Sequence, residues 1–223
     1  MQSSPTAHAL HRAGILAAIL VALVLSGCGV NNIPTYEQNA KAAWSEVLNQ
    51  YKRRADLVPN LVESVKGFAE QEKSVLTQVT EARAKATSVQ IPADILTNPE
   101  AMKKFQEAQN TLGGALRQLL VTAERYPDIK SGANFLALQQ QLEGTENRIS
   151  IARRDYNEAV RRYNTEIKTI PGRWWRSVAY PESKEMAYFT VPEDETKAPK
   201  VDFNRTQPPK VDLSPRTEPT KKQ

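Results

Sequence analysis

NPEAMKKFQEAQNTLGGALRQLLVTAERYP, residues 98–127, decides the fold. Its apolar residues Met102, Phe105, Ala108, Leu112, Leu116, Leu119, Ala123 and Tyr126 recur at steps of three and four, the repeat of one helical face. Asn98 can cap the first turn with its side-chain oxygen, and Pro99 suits a first position whose N–H would be unpaired anyway. Glu100 stands at the positive end of the helix dipole. Pro127, with no N–H to donate, stops the run. The stretch predicts a long amphipathic helix whose stripe has to be covered by partner helices.

The flanking sequence supplies them. Upstream, Ala40, Trp44, Val47, Tyr51, Ala55, Val58, Val62, Val65, Ala69, Val75 or Leu76, and Val79 keep the same spacing. Downstream, Phe135, Leu138, Leu142, Ile149, Ala152, Tyr156, Val160, Tyr163, Ile167 and Ile170 lead to Pro171-Gly172. No comparable alternating stretch appears before residue 186, so the expectation is an all-α core. Pro59 sets the helix count. Segment 36–86 unbroken would run ~76 Å against ~42 Å for 99–126, leaving Trp44 and Tyr51 without a partner. The expectation is therefore a break at Asp56–Pro59, with Asp56 as cap. A single kinked helix is the alternative, since the stripe passes through Pro59 in phase. Gly67 and Gly113-Gly114 are expected to mark close helix approach.

Outside the helices the chain changes character. His8, His11 and Arg12 precede the apolar run Ala13 to Leu25, which ends in Leu25-Ser26-Gly27-Cys28-Gly29. A short positive segment, about a dozen apolar residues and small residues before a cut describe a secretory signal. The run is short of the roughly 20 residues that span a bilayer, although Ala13 to Val30 would make a marginal uncleaved anchor. Leu-Ser-Gly-Cys resembles a bacterial lipobox, so 1–27 reads as a signal peptide cut after Gly27, with acyl chains on Cys28 and 28–35 as a lipidated tether. The helical body is then expected near Tyr36, and a chain starting at Asn31 is expected to fold. Residues 191–223 are Pro, Lys, Asp, Glu and Thr with few large apolar residues, and read as a disordered tail.

Inventory narrows the chemistry. The 223 residues carry 30 Lys and Arg against 25 Asp and Glu, and both histidines and the only cysteine lie within the first 28. A chain trimmed there has no thiol or imidazole, which excludes zinc sites, Ser-His-Asp or Cys-His nucleophiles, and disulfides. The doublets Arg53-Arg54, Arg153-Arg154 and Arg161-Arg162 read as solvated helix faces paired with nearby Glu; no nucleic-acid partner is expected. Glu143 with Glu146, or Glu63 with Glu70, could pair for acid–base work, but such spacing is routine on soluble helices. Tyr51, Tyr126, Tyr156 and Tyr163 sit in apolar stripes and read as core. Arg173-Trp174-Trp175-Arg176 is the candidate contact with lipid headgroups or a protein partner; a cap over the open bundle end is the alternative.

Several strings together resemble the LemA family: Lys41-Ala42-Ala43-Trp44, Gln50 to Glu63, Glu124-Arg125-Tyr126-Pro127-Asp128, Asn134-Phe135, Leu142 to Ile149, Tyr156-Asn157 and Tyr163-Asn164. The resemblance covers about residues 30–190. It implies a membrane-attached, extracytoplasmic bundle, an antiparallel four-helix bundle of long helices over 36–190, with an accessory role, and supplies no catalytic residues or cofactor. The expected function is that of a lipid-anchored envelope protein that binds an envelope partner rather than an enzyme. A carboxylate-dependent envelope hydrolase and a membrane-remodelling protein are the alternatives. Gly29 lacks the Asp that retains lipoproteins on the inner membrane, so in a diderm cell the expected place is the periplasmic face of the outer membrane.

Overall fold

The computed structural model describes residues 29–68 and 71–190. The expected signal and lipobox through Cys28, the stripe residue Ala69, Glu70, and the expected tail from 191 lie outside them. By its contacts the chain divides after Phe189, and of the second unit only Thr190 is described. Among the described residues every regular element is helical, and there is no strand. Helix α1 is Asn32–Ser64, α2 Lys73–Ser88, α3 Pro99–Ala123, α4 Pro127–Lys130, α5 Ala133–Glu166 and α6 Gly172–Val178, with short 3-10 turns at Lys66–Phe68 and Ile95–Thr97. α1 packs chiefly on α5 and α2 on α3, and α2 also meets α1. None of these helices is long and apolar enough to cross a membrane.

The expected break at Asp56–Pro59, with Asp56 as cap, has to be corrected: α1 runs through Pro59 as a single helix, the alternative reading. The partner that matters is α5, not the 99–126 helix. With 33 and 34 residues, α1 and α5 are each ~50 Å long, so α1 is covered along its length. The interruption comes after Ser64 instead. Pro59 itself is exposed, while Val58 and Leu61 on either side are buried. Its missing N–H leaves the Ala55 carbonyl without its helical donor. Arg83 of α2 fills that place, its guanidinium Nε–H donating to Ala55 O at 2.9 Å.

The start of α1 also differs from expectation. The helix begins at Asn32, ahead of Tyr36, and Ile33 is wholly buried. Asn32 donates its side-chain amide to Glu166 Oε1 at 3.2 Å, fastening the beginning of α1 to the end of α5. α3 starts as read, with Asn98 Oδ1 accepting from Ala101 N at 3.1 Å, Pro99 at the first position and Glu100 in the first turn. It stops at Ala123, and Pro127 opens α4 rather than merely closing α3.

Two hydrophobic cores result. One gathers Ile33, Trp44, Val47, Tyr51, Met102, Phe105, Tyr156, Val160 and Tyr163 with Met186 and Phe189; the other gathers Val58, Leu61, Val65, Val75, Val79, Leu112, Leu116, Leu119, Phe135 and Leu142. Along α1 the change from one to the other falls at Arg54, a buried cation. A side chain at Gly113 would lie 3.4 Å from Arg54 Nη1, an ordinary contact with a side-chain tip rather than a close approach of helix backbones. Its neighbour Gly114 has nothing within 4 Å, contrary to expectation.

Candidate functional site

Beyond α6 the chain runs back as an extended strap, and the two Tyr-Asn pairs of α5 hold it. Tyr156-Asn157 and Tyr163-Asn164 are seven residues apart, two helical turns, and so share a face. Asn164 donates to Met186 O and accepts from Met186 N, both at 2.9 Å. Asn157 donates to Phe189 O at 3.0 Å and accepts from Phe189 N at 2.9 Å. Each amide thus does what a neighbouring strand would do, presenting one donor and one acceptor to an extended residue. Between them the Tyr156 hydroxyl donates to Ala187 O at 2.8 Å, and Ala187 N donates to Leu96 O at 2.7 Å. Phe189 then enters an aromatic cluster, 5.7 Å from Trp44 and 5.4 Å from Tyr156, with the Arg153 guanidinium 5.0 Å from its ring centre. Burial raises the Tyr156 hydroxyl well above its ordinary pKa, so it keeps its proton, and with it this hydrogen bond, into alkali. The tyrosines were readable as core; the paired asparagines were not read as a clamp, although an Asn repeating one heptad apart beside a core Tyr was the available signal.

At this end a cavity of about 500 Å³ opens between α1, the Ile95–Thr97 turn and the strap, with Glu37, Lys41, Asp94, Tyr163, Tyr180 and Lys184 in its wall. Its charges are mixed, and Glu37 and Lys41 are ion-paired at 2.6 Å. Burial raises the Tyr163 pKa, against the lowering effect of its hydrogen bond with Ser183. No cluster of three metal-ligating side chains exists among the described residues.

The polar layer between the cores corrects the reading of Arg53-Arg54. Arg53 is exposed, but Arg54 is only 3% exposed and reaches across to α3 and α5. Its Nη2 donates to Gln109 O at 2.8 Å and Gln109 Oε1 at 2.7 Å, and its Nη1 to Glu146 Oε1 at 3.0 Å. Gln109 in turn donates to Ala86 O at 3.3 Å, linking α2 into the same layer. The Arg54 guanidinium also lies 5.0 Å from the Tyr51 ring centre. By contrast, Arg161 and Arg162 share exposed Glu158 as expected, and their hydrogen bonds lower its pKa to about 2.

Glu143 and Glu146 do line one groove of about 370 Å³ with Gly113, Leu116, Arg117 and Leu142. Glu146 is engaged by Arg54, and Glu143 accepts from Gln139 at 3.0 Å. Glu63 is paired with Lys66 on the surface. Within the Arg173-Trp174-Trp175-Arg176 string the four residues part company. Arg173 and Trp174 are exposed, Trp175 packs against the first core, and Arg176 Nε donates to Ser183 O at 2.9 Å. Gly27 and Cys28 lie outside the described residues, but Gly29 rests against Pro171, where a side chain would meet Pro171 Cγ at 3.6 Å.

Taken together, these are the features of a helical protein whose polar side chains are engaged chiefly in holding its own chain: a clamped strap, a buried arginine layer and a satisfied proline gap. The chain belongs to the LemA family, whose model matches residues 43–203. It is similar to magnetosome protein MamQ 2 of Paramagnetospirillum magneticum, 26% identical over 176 residues, covering 71% of this chain and 64% of that protein. Magnetosome protein MamQ of Magnetospirillum gryphiswaldense is 24% identical over 175 residues with the same coverage. Protein LemA of Metamycoplasma hominis is 26% identical over 128 residues, 57% of this chain and 53% of that one. The chain thus spans less than two thirds of the length of these relatives.

Proposed function

We propose that this protein is a lipid-anchored, extracytoplasmic accessory component of the cell envelope, a four-helix bundle that works by binding a partner protein rather than by catalysis. The observation that carries the reading is the juxtaposition of a Leu25-Ser26-Gly27-Cys28 string with a helical body that begins within a few residues of it. Acyl chains on Cys28 supply about 0.8 kcal/mol per buried methylene, and more than one chain makes the attachment stable. Asn32 and Ile33 join the anchor directly to the body, so the α1–α5 end is held at the membrane. The names of the magnetosome relatives refer to a cellular structure rather than to a reaction, which favours an accessory role. In a diderm cell, Gly29 after the cysteine favours the periplasmic face of the outer membrane. Fractionation of Cys28→Ala tests the reading: the variant should leave the membrane fraction or persist there only as an uncut precursor. Cross-linking of the native protein in intact membranes should capture a discrete envelope protein. An unchanged membrane fraction and mobility for Cys28→Ala would contradict it.

A further inference from the structure

Three of the exposed large apolar side chains fall within nine residues of sequence, at and just before α6. Ile170, Trp174 and Val178 are 65%, 62% and 80% exposed; Trp174 and Val178, four residues apart, share one face of α6, and Ile170 stands just before the helix, ahead of Pro171. Such a row has no role in the core, which α6 meets through Trp175 instead. α6 carries Arg173 and Arg176 and no acidic residue. The row also has a fixed position: Pro171, at the head of α6, is the residue against which Gly29 rests, one peptide bond from Cys28.

We infer that the Trp174–Val178 face of α6, with Ile170 at its head, lies in the headgroup region of the membrane, with exposed Arg173 directed at lipid phosphates. This rests on the anchoring through Cys28 proposed above, which fixes the bilayer beside α6. A tryptophan flanked by aliphatic residues and arginine matches the chemistry of that layer, since the ring takes apolar contact on its faces while its N–H stays wet. The row is too short to hold a protein on a membrane alone. Its effect is orientation: a second contact beside the acyl chains stops the body from swinging freely and sets the far end, the second core, away from the bilayer.

Depth-dependent quenching tests this. The full protein, extracted from membranes, is reconstituted into phosphatidylethanolamine–phosphatidylglycerol vesicles whose acyl chains are brominated close to the headgroup. Trp44 is buried and Trp175 packs on the core, so Trp174 is the tryptophan within reach. The emission should be quenched relative to unbrominated vesicles, and Trp174→Phe, conservative at an exposed site, should lose that quenching while still floating with the vesicles. Wild-type protein that floats with the vesicles but is quenched no more than Trp174→Phe would overturn the inference, leave the anchor standing and assign the face to a protein partner. Protein that does not float would overturn anchor and face together.

Discussion

Replacing Arg83 by Met should destabilise the protein, and the loss should vanish when Pro59 is replaced as well. In native α1 the Ala55 carbonyl has no donor from position 59 and takes one from Arg83 Nε at 2.9 Å. Arg83→Met keeps most of the aliphatic stem and the helix propensity of α2, so the change falls mainly on that hydrogen bond. A buried acceptor left unpaired costs about 1–3 kcal/mol, and the lower half of that range applies because the bond is partly buried. Pro59→Ala restores the main-chain bond from residue 59 and should stabilise, the interior penalty of proline being up to about 3 kcal/mol. In that background Ala55 O is already satisfied, and Arg83→Met should cost only a few tenths of a kcal/mol. The four proteins, prepared as chains starting at Asn31, are compared by urea unfolding followed by circular dichroism. The two substitutions should be coupled by about 1 kcal/mol at equal m-values. Additivity within about 0.3–0.5 kcal/mol would refute the claim that Arg83 substitutes for the missing donor.

Other substitutions probe the strap and the α5–α6 junction. Asn164→Ala removes both partners of Met186 and should cost about 1–3 kcal/mol, with hydrogen exchange at 186–189 rising first; unchanged exchange there would refute the clamp. A side chain at Gly172 would meet the Glu166 carbonyl carbon at 2.9 Å, so Gly172→Ala should lower stability by about 1–3 kcal/mol, and an unchanged Tm would contradict the close approach. Burial raises the pKa of Tyr51, Tyr156 and Tyr163 above their ordinary value of 10.0. Their contribution is complete below that pH and is lost as pH rises through the folded values, so in alkali they should ionise together with unfolding; tyrosinate absorbance rising fully before the circular dichroism changes would contradict this.

Periodicity made the helices legible because the stripes are long and the caps local. Asn98, Pro99 and Glu100 act within one turn, so their reading needed no tertiary knowledge. Pro59 was misread for the opposite reason: whether a helix survives a proline depends on what supplies the orphaned carbonyl and what covers the stripe. Arg83 and α5 do both from distant positions in the chain. Arg54 looked like half of a solvated doublet, and its burial depends on partners far along the chain, Gln109 on α3 and Glu146 on α5. Asn157 and Asn164 were visible as family strings, but their role needs the strap to return across α5, which no local pattern announces. The α6 arginines and tryptophans were singled out as a unit; the structure divides them between core, strap and surface.

The anchor at Cys28 is the claim on which function, orientation and the α6 face all depend. Its most direct test is the intact mass of the protein extracted from membranes, with fragmentation of its first peptide. The account predicts a chain beginning at Cys28 and carrying acyl groups on that residue, with no species retaining the first 27 residues in the mature population. A mass equal to the unmodified chain from Met1, or a cut elsewhere with an unmodified Cys28, would contradict it.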